Sequence, residues 1–327
     1  MLGSNVILDV KGLTTTFRTP AGLVNAVNDL NFQLRRGETL AIVGESGCGK
    51  SVTSFSLMRL LSGQVGIAGQ VWLKDQQDNP VDLLSLSAGD MQRVRGNRVA
   101  MIFQEPMTSL NPLHRIGDQI AEVMVTHGHS SKEEARDRAL SLLTLVGISD
   151  PETRARQYPH QISGGMRQRV MISIALACKP AVLIADEPTT ALDVTIQAQI
   201  LRLIRKLQRE VGMGVLFITH DMGVVAQIAD RVAVMYAGQL VEQTTTRTLF
   251  KRPRHPYTKG LLASIPNPNV EGRLYGIPGQ VEPVFGEPVG CRFANRCNQA
   301  TDLCKATNPP LMDLDGHLVR CHFGDQP

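Results

Sequence analysis

Leu30, Phe32 and Leu34 alternate with polar neighbours, the period of two expected of a strand with one buried face. The turn Arg35-Arg36-Gly37-Glu38 follows. Next comes Thr39-Leu40-Ala41-Ile42-Val43, an unbroken apolar run that fits a strand buried on both faces. Ala181-Val182-Leu183-Ile184-Ala185 and Val215-Leu216-Phe217-Ile218-Thr219 read the same way. Between them Ile196, Ile200, Leu203, Ile204 and Leu207 recur at helical spacing. A further helix is predicted from Ser51 to Leu61, stopping near Ser62-Gly63. Strands alternating with helices predict an α/β fold around a mostly parallel sheet with helices on both faces.

The stretch from about Asn111 to Cys178 is mostly helical in pattern and reads as a helical insertion into that core. Within it Ser131-Lys132-Glu133-Glu134 has the form of a capping box, with Ser131 as N-cap, opening a helix to Val146 that Gly147 ends. Beyond residue 250 Pro and Gly become frequent and periodicity fades. The tail therefore reads as a small irregular C-terminal extension.

Composition adds bounds. The chain has 327 residues, 43% of them apolar and 20% charged, enough for one large or two unequal domains. The net charge of +4 is a diffuse excess and makes no case for nucleic acid. The N-terminus lacks the basic-then-apolar pattern of a secretory signal, and no uncharged apolar stretch is long enough to span a bilayer. A cytosolic chain that reaches a membrane through partners is the expectation. Cys48 and Cys178 stand alone, whereas Cys291, Cys297, Cys304 and Cys321 cluster; in a reducing compartment such a cluster points to metal more than to disulfides.

Gly44-Glu45-Ser46-Gly47-Cys48-Gly49-Lys50-Ser51 follows a strand and enters a helix, meeting the pattern G-x-x-x-x-G-K-[ST]. Glycines let successive N–H groups face one centre, and the helix N-terminus adds positive potential. Lys50 would reach the terminal phosphates of ATP and the Ser51 hydroxyl would ligate Mg²⁺. Asp186-Glu187 ends a buried-strand run, where Asp186 can hold Mg²⁺ through water and Glu187 can act as general base.

Ser163-Gly164-Gly165-Met166-Arg167-Gln168-Arg169 resembles the signature motif of ATP-binding cassette (ABC) ATPases, with Ile162 in place of the usual Leu and Met166 in place of Gln. Other elements match in order. Gln104 resembles the glutamine that senses Mg²⁺, Thr190-Ala191-Leu192-Asp193 the D-loop, and His220 the switch histidine that contacts the γ-phosphate. Phe17 resembles the aromatic that stacks on adenine, and Val52 continues the phosphate loop. These motifs cover residues 5–245, and the resemblance implies an ABC ATPase domain over 5–255: a P-loop NTPase core with an antiparallel β subdomain and a helical subdomain over about 111–178. It also implies a dimer in which Ser163, Gly164 and Gly165 close over the partner's nucleotide.

Arg254-His255-Pro256-Tyr257-Thr258 resembles the hallmark of oligopeptide and dipeptide importer ATPases, and so do Met235-Tyr236-Ala237-Gly238 and Glu105-Pro106-Met107-Thr108. That resemblance implies two membrane permease subunits, a second homologous ATPase subunit (a different chain or a second copy) and an extracytoplasmic substrate-binding protein. The site of action would be the cytoplasmic face of the inner membrane. Nickel, glutathione or other peptide-like cargo stays open, and a soluble cassette ATPase without a transport role is the other alternative. The His-Pro-Tyr segment itself reads as a proline-fixed turn without chemistry. The cysteine-rich extension, residues 256–327, is spaced C-x5-C-x6-C-x16-C, unlike zinc ribbons. The resemblance implies a [4Fe–4S] cluster on Cys291, Cys297, Cys304 and Cys321, with zinc or no metal as the alternatives; His322, beside Cys321, is a fifth donor or a bystander. Cys48 is a small spacer where Ser is usual, and its alkylation is expected to block ATP.

Overall fold

The computed structural model describes residues 3–105, 109–190, 193–265, 276–286 and 289–325. The chain divides into two compact units: residues 1–34, 38–84 and 217–327 form the first, and residues 35–37 and 85–216 the second.

The first unit opens with two long strands, β1 (Val6–Thr19) and β2 (Gly22–Arg35). With β4 (Val65–Lys74) and β5 (Pro80–Asp82) they form a four-stranded sheet of order β2-β1-β4-β5, the expected antiparallel β subdomain. Leu30, Phe32 and Leu34 lie on the buried face of β2, as their alternation requires. Between these strands, β3 (Thr39–Val43) is buried along its whole length. It pairs in parallel with β9 (Arg231–Tyr236), which turns back antiparallel into β10 (Gln239–Thr245).

Helix α1 (Lys50–Leu57) is shorter than its sequence suggests. Met58 caps it and Arg59 takes a left-handed φ of 50°, so the chain leaves the helix before Leu61 and well before Gly63. The extension also departs from expectation. It contributes helices, and two short strands, β11 (Met312–Asp313) and β12 (Leu318–Val319), continue the sheet edge through β10. Phe293 of the extension is buried in the same cluster as Val43, Val234, Tyr236 and Tyr257. It is part of this unit's core.

The second unit carries α2 (Ala88–Val94) and β6 (Val99–Ile102), the latter parallel to β7 (Val182–Asp186). Between those strands run α3 (Ile116–Thr126), α4 (Lys132–Leu145), α5 (Pro151–Arg156) and α6 (Gly164–Leu176), the predicted helical segment. Both halves of the capping box form: Ser131 Oγ accepts from Glu134 N–H, and the Glu134 carboxylate accepts from Ser131 N–H. Helix α7 (Val194–Val211) is capped by Asp193, buries Ile200, Leu203, Ile204 and Leu207, and stops at left-handed Gly212. It leads into β8 (Gly214–Thr219), which begins in the second unit and ends in the first. In the first unit the strand order is β11-β12-β10-β9-β3-β8, and in the second β8-β7-β6. After β8 come α8 (Met222–Ile228), α9 (Thr246–Lys251), α10 (Pro256–Ala263) and α11 (Asp302–Ala306).

Candidate nucleotide site and its supports

Strand β3 delivers the chain into the loop Gly44–Gly49, and Gly49 is the N-cap of α1. The loop is packed tightly against backbone. Gly49 has φ of +101°, and a Cβ there would lie 2.3 Å from the Ala26 carbonyl oxygen. A Cβ on Gly44 would meet the Met235 carbonyl at 2.3 Å and the Cys48 sulfur at 2.7 Å. Only glycine fits either position. Ser46 and Gly47 are exposed at the apex. Lys50 is buried, and its Nζ donates to the carbonyls of Gly44 (2.7 Å) and Glu45 (3.0 Å), so the ammonium is held over the loop. Ser51 and Val52 follow in the first turn of α1, half-buried. Cys48 is fully buried, and burial pushes its thiol up, more than Lys50 draws it down. It is a spacer and a poor target for alkylation.

Phe17 lies on β1 only half-buried, so its ring is not absorbed into the core. His220, the residue after β8, is exposed, and Asp221 next to it caps α8 through Gly223 and Val224 N–H.

In the second unit, Asp186 is buried at the end of β7, and Glu187 follows at a left-handed φ of 44°. For a residue with a long side chain that backbone is strained, and such strain persists where neighbours hold it. They do: the Glu187 carboxylate accepts from Gln104 Nε2 at 3.1 Å and from Thr190 Oγ1 at 2.9 Å. The next residue, Pro188, is fixed through its carbonyl by Gln168 Nε2 of α6. Gln104 and Glu187 are thus brought together. Ser163 is the N-cap of α6, its Oγ accepting from Met166 N–H, and Ser163 and Gly164 are exposed. An exposed helix start with free room above it suits an anion. Ala191 and Leu192 of the D-loop segment, and Pro106 to Thr108, lie outside the described residues.

Two supports of the phosphate loop had no sequence signal as site residues. Tyr257, on α10, is fully buried, and its hydroxyl accepts the Glu45 N–H at 2.8 Å. Arg296 grips the Glu45 carboxylate with both terminal nitrogens, at 2.6 and 3.0 Å. The His-Pro-Tyr segment was expected to be a turn without chemistry. It is in fact the start of α10: His255 Nδ1 accepts the Tyr257 N–H, and Pro256 occupies the first helical position. The buried Glu242 carboxylate anchors this start by accepting from the N–H groups of Arg254 and His255.

Cys291, Cys297, Cys304 and Cys321 are free thiols that line one small, apolar cavity with Phe293, Ala294 and Phe323. Burial pushes Cys291 up to about 11, and the neighbouring cysteines add to the rise. Four cysteines around one apolar pocket are the donor type of a thiolate-held iron–sulfur group, although burial here favours the protonated thiol. As placed, no three His, Cys, Asp or Glu among the described residues are grouped to hold a single metal ion. His322 lines the same cavity, but its Nε2 is bonded to the Thr307 carbonyl.

A family model described as ABC transporter matches residues 27–190. A Bacillus subtilis relative, the dipeptide transport ATP-binding protein DppD, is 51% identical over 98% of this chain and 95% of its own length. The chain belongs to the ABC transporter family. A second model, the C-terminal region of oligopeptide/dipeptide transporters, matches residues 241–304. The oligopeptide transport ATP-binding protein OppD of the same organism is 51% identical over 96% of this chain and 88% of its own. Among solved structures, a dimeric post-hydrolysis state of the ATP-binding cassette MJ0796 bound to ADP and Pi is 28% identical, with a TM-score of 0.65. It covers 74% of this chain and 99% of that one. Like other ATP-binding subunits of the family, this ABC protein hydrolyses ATP to drive transport. No helix among its described residues is long and apolar enough to cross a membrane.

Proposed function

We propose that this ABC protein is the ATP-hydrolysing subunit of a bacterial peptide importer, docked on two membrane permease subunits at the cytoplasmic face of the inner membrane. The relatives named for dipeptide and oligopeptide transport support that cargo. Residues 5–255 form the cassette and 256–327 the extension. ATP lies on Gly44 to Val52 with Phe17 against adenine. Ser51, Gln104 and Asp186 hold Mg²⁺, which supplies charge neutralisation at the phosphates. His220 contacts the γ-phosphate, and Glu187 accepts a proton from the attacking water. Two cassettes, this chain and a homologous partner, sandwich two ATP molecules, with Ser163, Gly164 and Gly165 of each closing over the other's nucleotide. Closure draws the permeases together, and a substrate-binding protein delivers peptide from outside. A [4Fe–4S] cluster on Cys291, Cys297, Cys304 and Cys321 would supply a rigid multi-point crosslink in the extension.

One observation carries the catalytic assignment: Glu187 is held at a strained backbone position by Gln104 and Thr190 at the mouth of a buried parallel strand. Glu187→Gln keeps the shape and removes the base. It should bind ATP normally and lose at least about a hundredfold in turnover, the scale of general-base catalysis. Near-normal turnover would refute the role.

A further inference from the structure

The contacts between the extension and the phosphate loop converge on one residue, Glu45, the second of the loop. Its N–H is held by Tyr257 Oη at 2.8 Å, its carbonyl by Lys50 Nζ at 3.0 Å, and its carboxylate by the Arg296 fork. The Glu45 side chain is 31% exposed, whereas that of Arg296 is only 6% exposed. Arg296 is itself immobilised. Its Nε donates to the Pro278 carbonyl, its Nη2 to those of Ile277 and Gly279, and its guanidinium sits 5.7 Å over the Tyr236 ring. A planar fork committed on every edge cannot follow a moving carboxylate, so it dictates where that carboxylate lies. The bond to Glu45 also holds the guanidinium charged, its pKa raised above the ordinary value.

The loop is built to receive a polyanion, yet Glu45 places a negative charge within it. An unmatched carboxylate there opposes a triphosphate, because two like charges at close range disfavour each other. Arg296 offsets that charge and turns it away. Tyr257 fixes the backbone that presents the Glu45 carbonyl to Lys50. We propose that Arg296 and Tyr257 are positioning residues for ATP binding, acting through Glu45, so that the extension sets the nucleotide affinity of the cassette. This rests on the reading of Gly44 to Ser51 as the ATP site.

The test uses the full-length chain and equilibrium titration with a fluorescent ATP analogue, alongside melting curves without nucleotide. Arg296→Ala should weaken binding about tenfold, the scale of one charge-assisted bond. Adding Glu45→Gln to it removes the unmatched charge and should return affinity to within about twofold of Glu45→Gln alone. A merely structural Arg296 gives no such rescue, since the double variant still lacks the fork. Tyr257→Phe should weaken binding about fivefold by leaving the Glu45 N–H without its acceptor. Affinity within twofold of wild type for Arg296→Ala, or a double variant as weak as Arg296→Ala, overturns the proposal. Where Arg296→Ala melts below the assay temperature, Arg296→Gln, which fills the site without the charge, replaces it, and wild-type affinity for that variant overturns the proposal equally. Lys50→Ala separates the two readings: if it titrates like wild type, the loop is not the ATP site, whatever Arg296 does.

Discussion

Adding one methyl group to Gly49 should disable the nucleotide loop, and the structure gives the size of the effect. The backbone φ of +101° is one that alanine adopts at a cost of about 1–2 kcal/mol. The new Cβ would also lie 2.3 Å from the Ala26 carbonyl oxygen, with the Gly238 Cα 3.5 Å away. Both neighbours are backbone, one in β2 and one in the turn between β9 and β10, so no rotamer change relieves the contact. Overpacking of this kind costs about 1–3 kcal/mol more, giving roughly 2–5 kcal/mol in all. The relief has to come from a shift of roughly 1 Å in the loop itself, a displacement of the scale that costs an aligned site about a hundredfold. Gly47 provides the control within the same loop. Its φ is +79°, but a Cβ there meets nothing within 4 Å. Gly47→Ala therefore carries the strain without the collision. Melting curves and ATP titration of both variants separate the two contributions. Gly49→Ala should melt lower than Gly47→Ala and bind ATP at least about tenfold more weakly than it. Equal behaviour of the two variants would refute the argument from close backbone approach.

Three further outcomes follow from other parts of the molecule. Ser131→Ala removes the acceptor for Glu134 N–H in the capping box and should cost about 1 kcal/mol in a urea titration while leaving ATP affinity unchanged. His255 is buried, and burial pushes its imidazole down from the ordinary 6.5 to about 4. The unfolded chain takes up a proton in that interval that the folded one refuses. Stability from this group is thus whole above pH 6.5 and falls away toward pH 4, by about 2 kcal/mol at pH 5. Unfolding followed through Trp72 should show that loss, and His255→Asn, which keeps an acceptor for Tyr257 N–H, should flatten it. Iron and sulfide analysis of anaerobically purified protein should find about four of each per chain, lost with Cys297→Ser. Zinc, or no metal, in the wild type would overturn the cluster.

The strands β3, β7 and β8 were legible because they are continuous apolar runs, a pattern that burial on both faces explains. The capping box at Ser131 was legible because its chemistry is local to four residues. Contacts distant in sequence were not. Arg296 and Glu45 are 251 positions apart, and nothing near either residue signals the pairing. The same holds for β12, two residues long, which becomes a strand only because β10 offers it an edge. Tyr257 was singled out, though as a marker, since a buried hydroxyl with a distant backbone partner leaves no periodic trace. The early stop of α1 came from Arg59 in a left-handed backbone, which arginine does not advertise.

The most direct test of the account is ATP turnover by this chain assembled with its homologous partner cassette, any phosphate loop of the partner's own inactivated, and with two permeases in lipid vesicles, with peptide-loaded binding protein outside. The account predicts turnover that rises several-fold with loaded binding protein over empty binding protein, and that Lys50→Ala abolishes at both levels. Turnover that survives Lys50→Ala would show that the loop from Gly44 to Ser51 is not where this protein uses ATP.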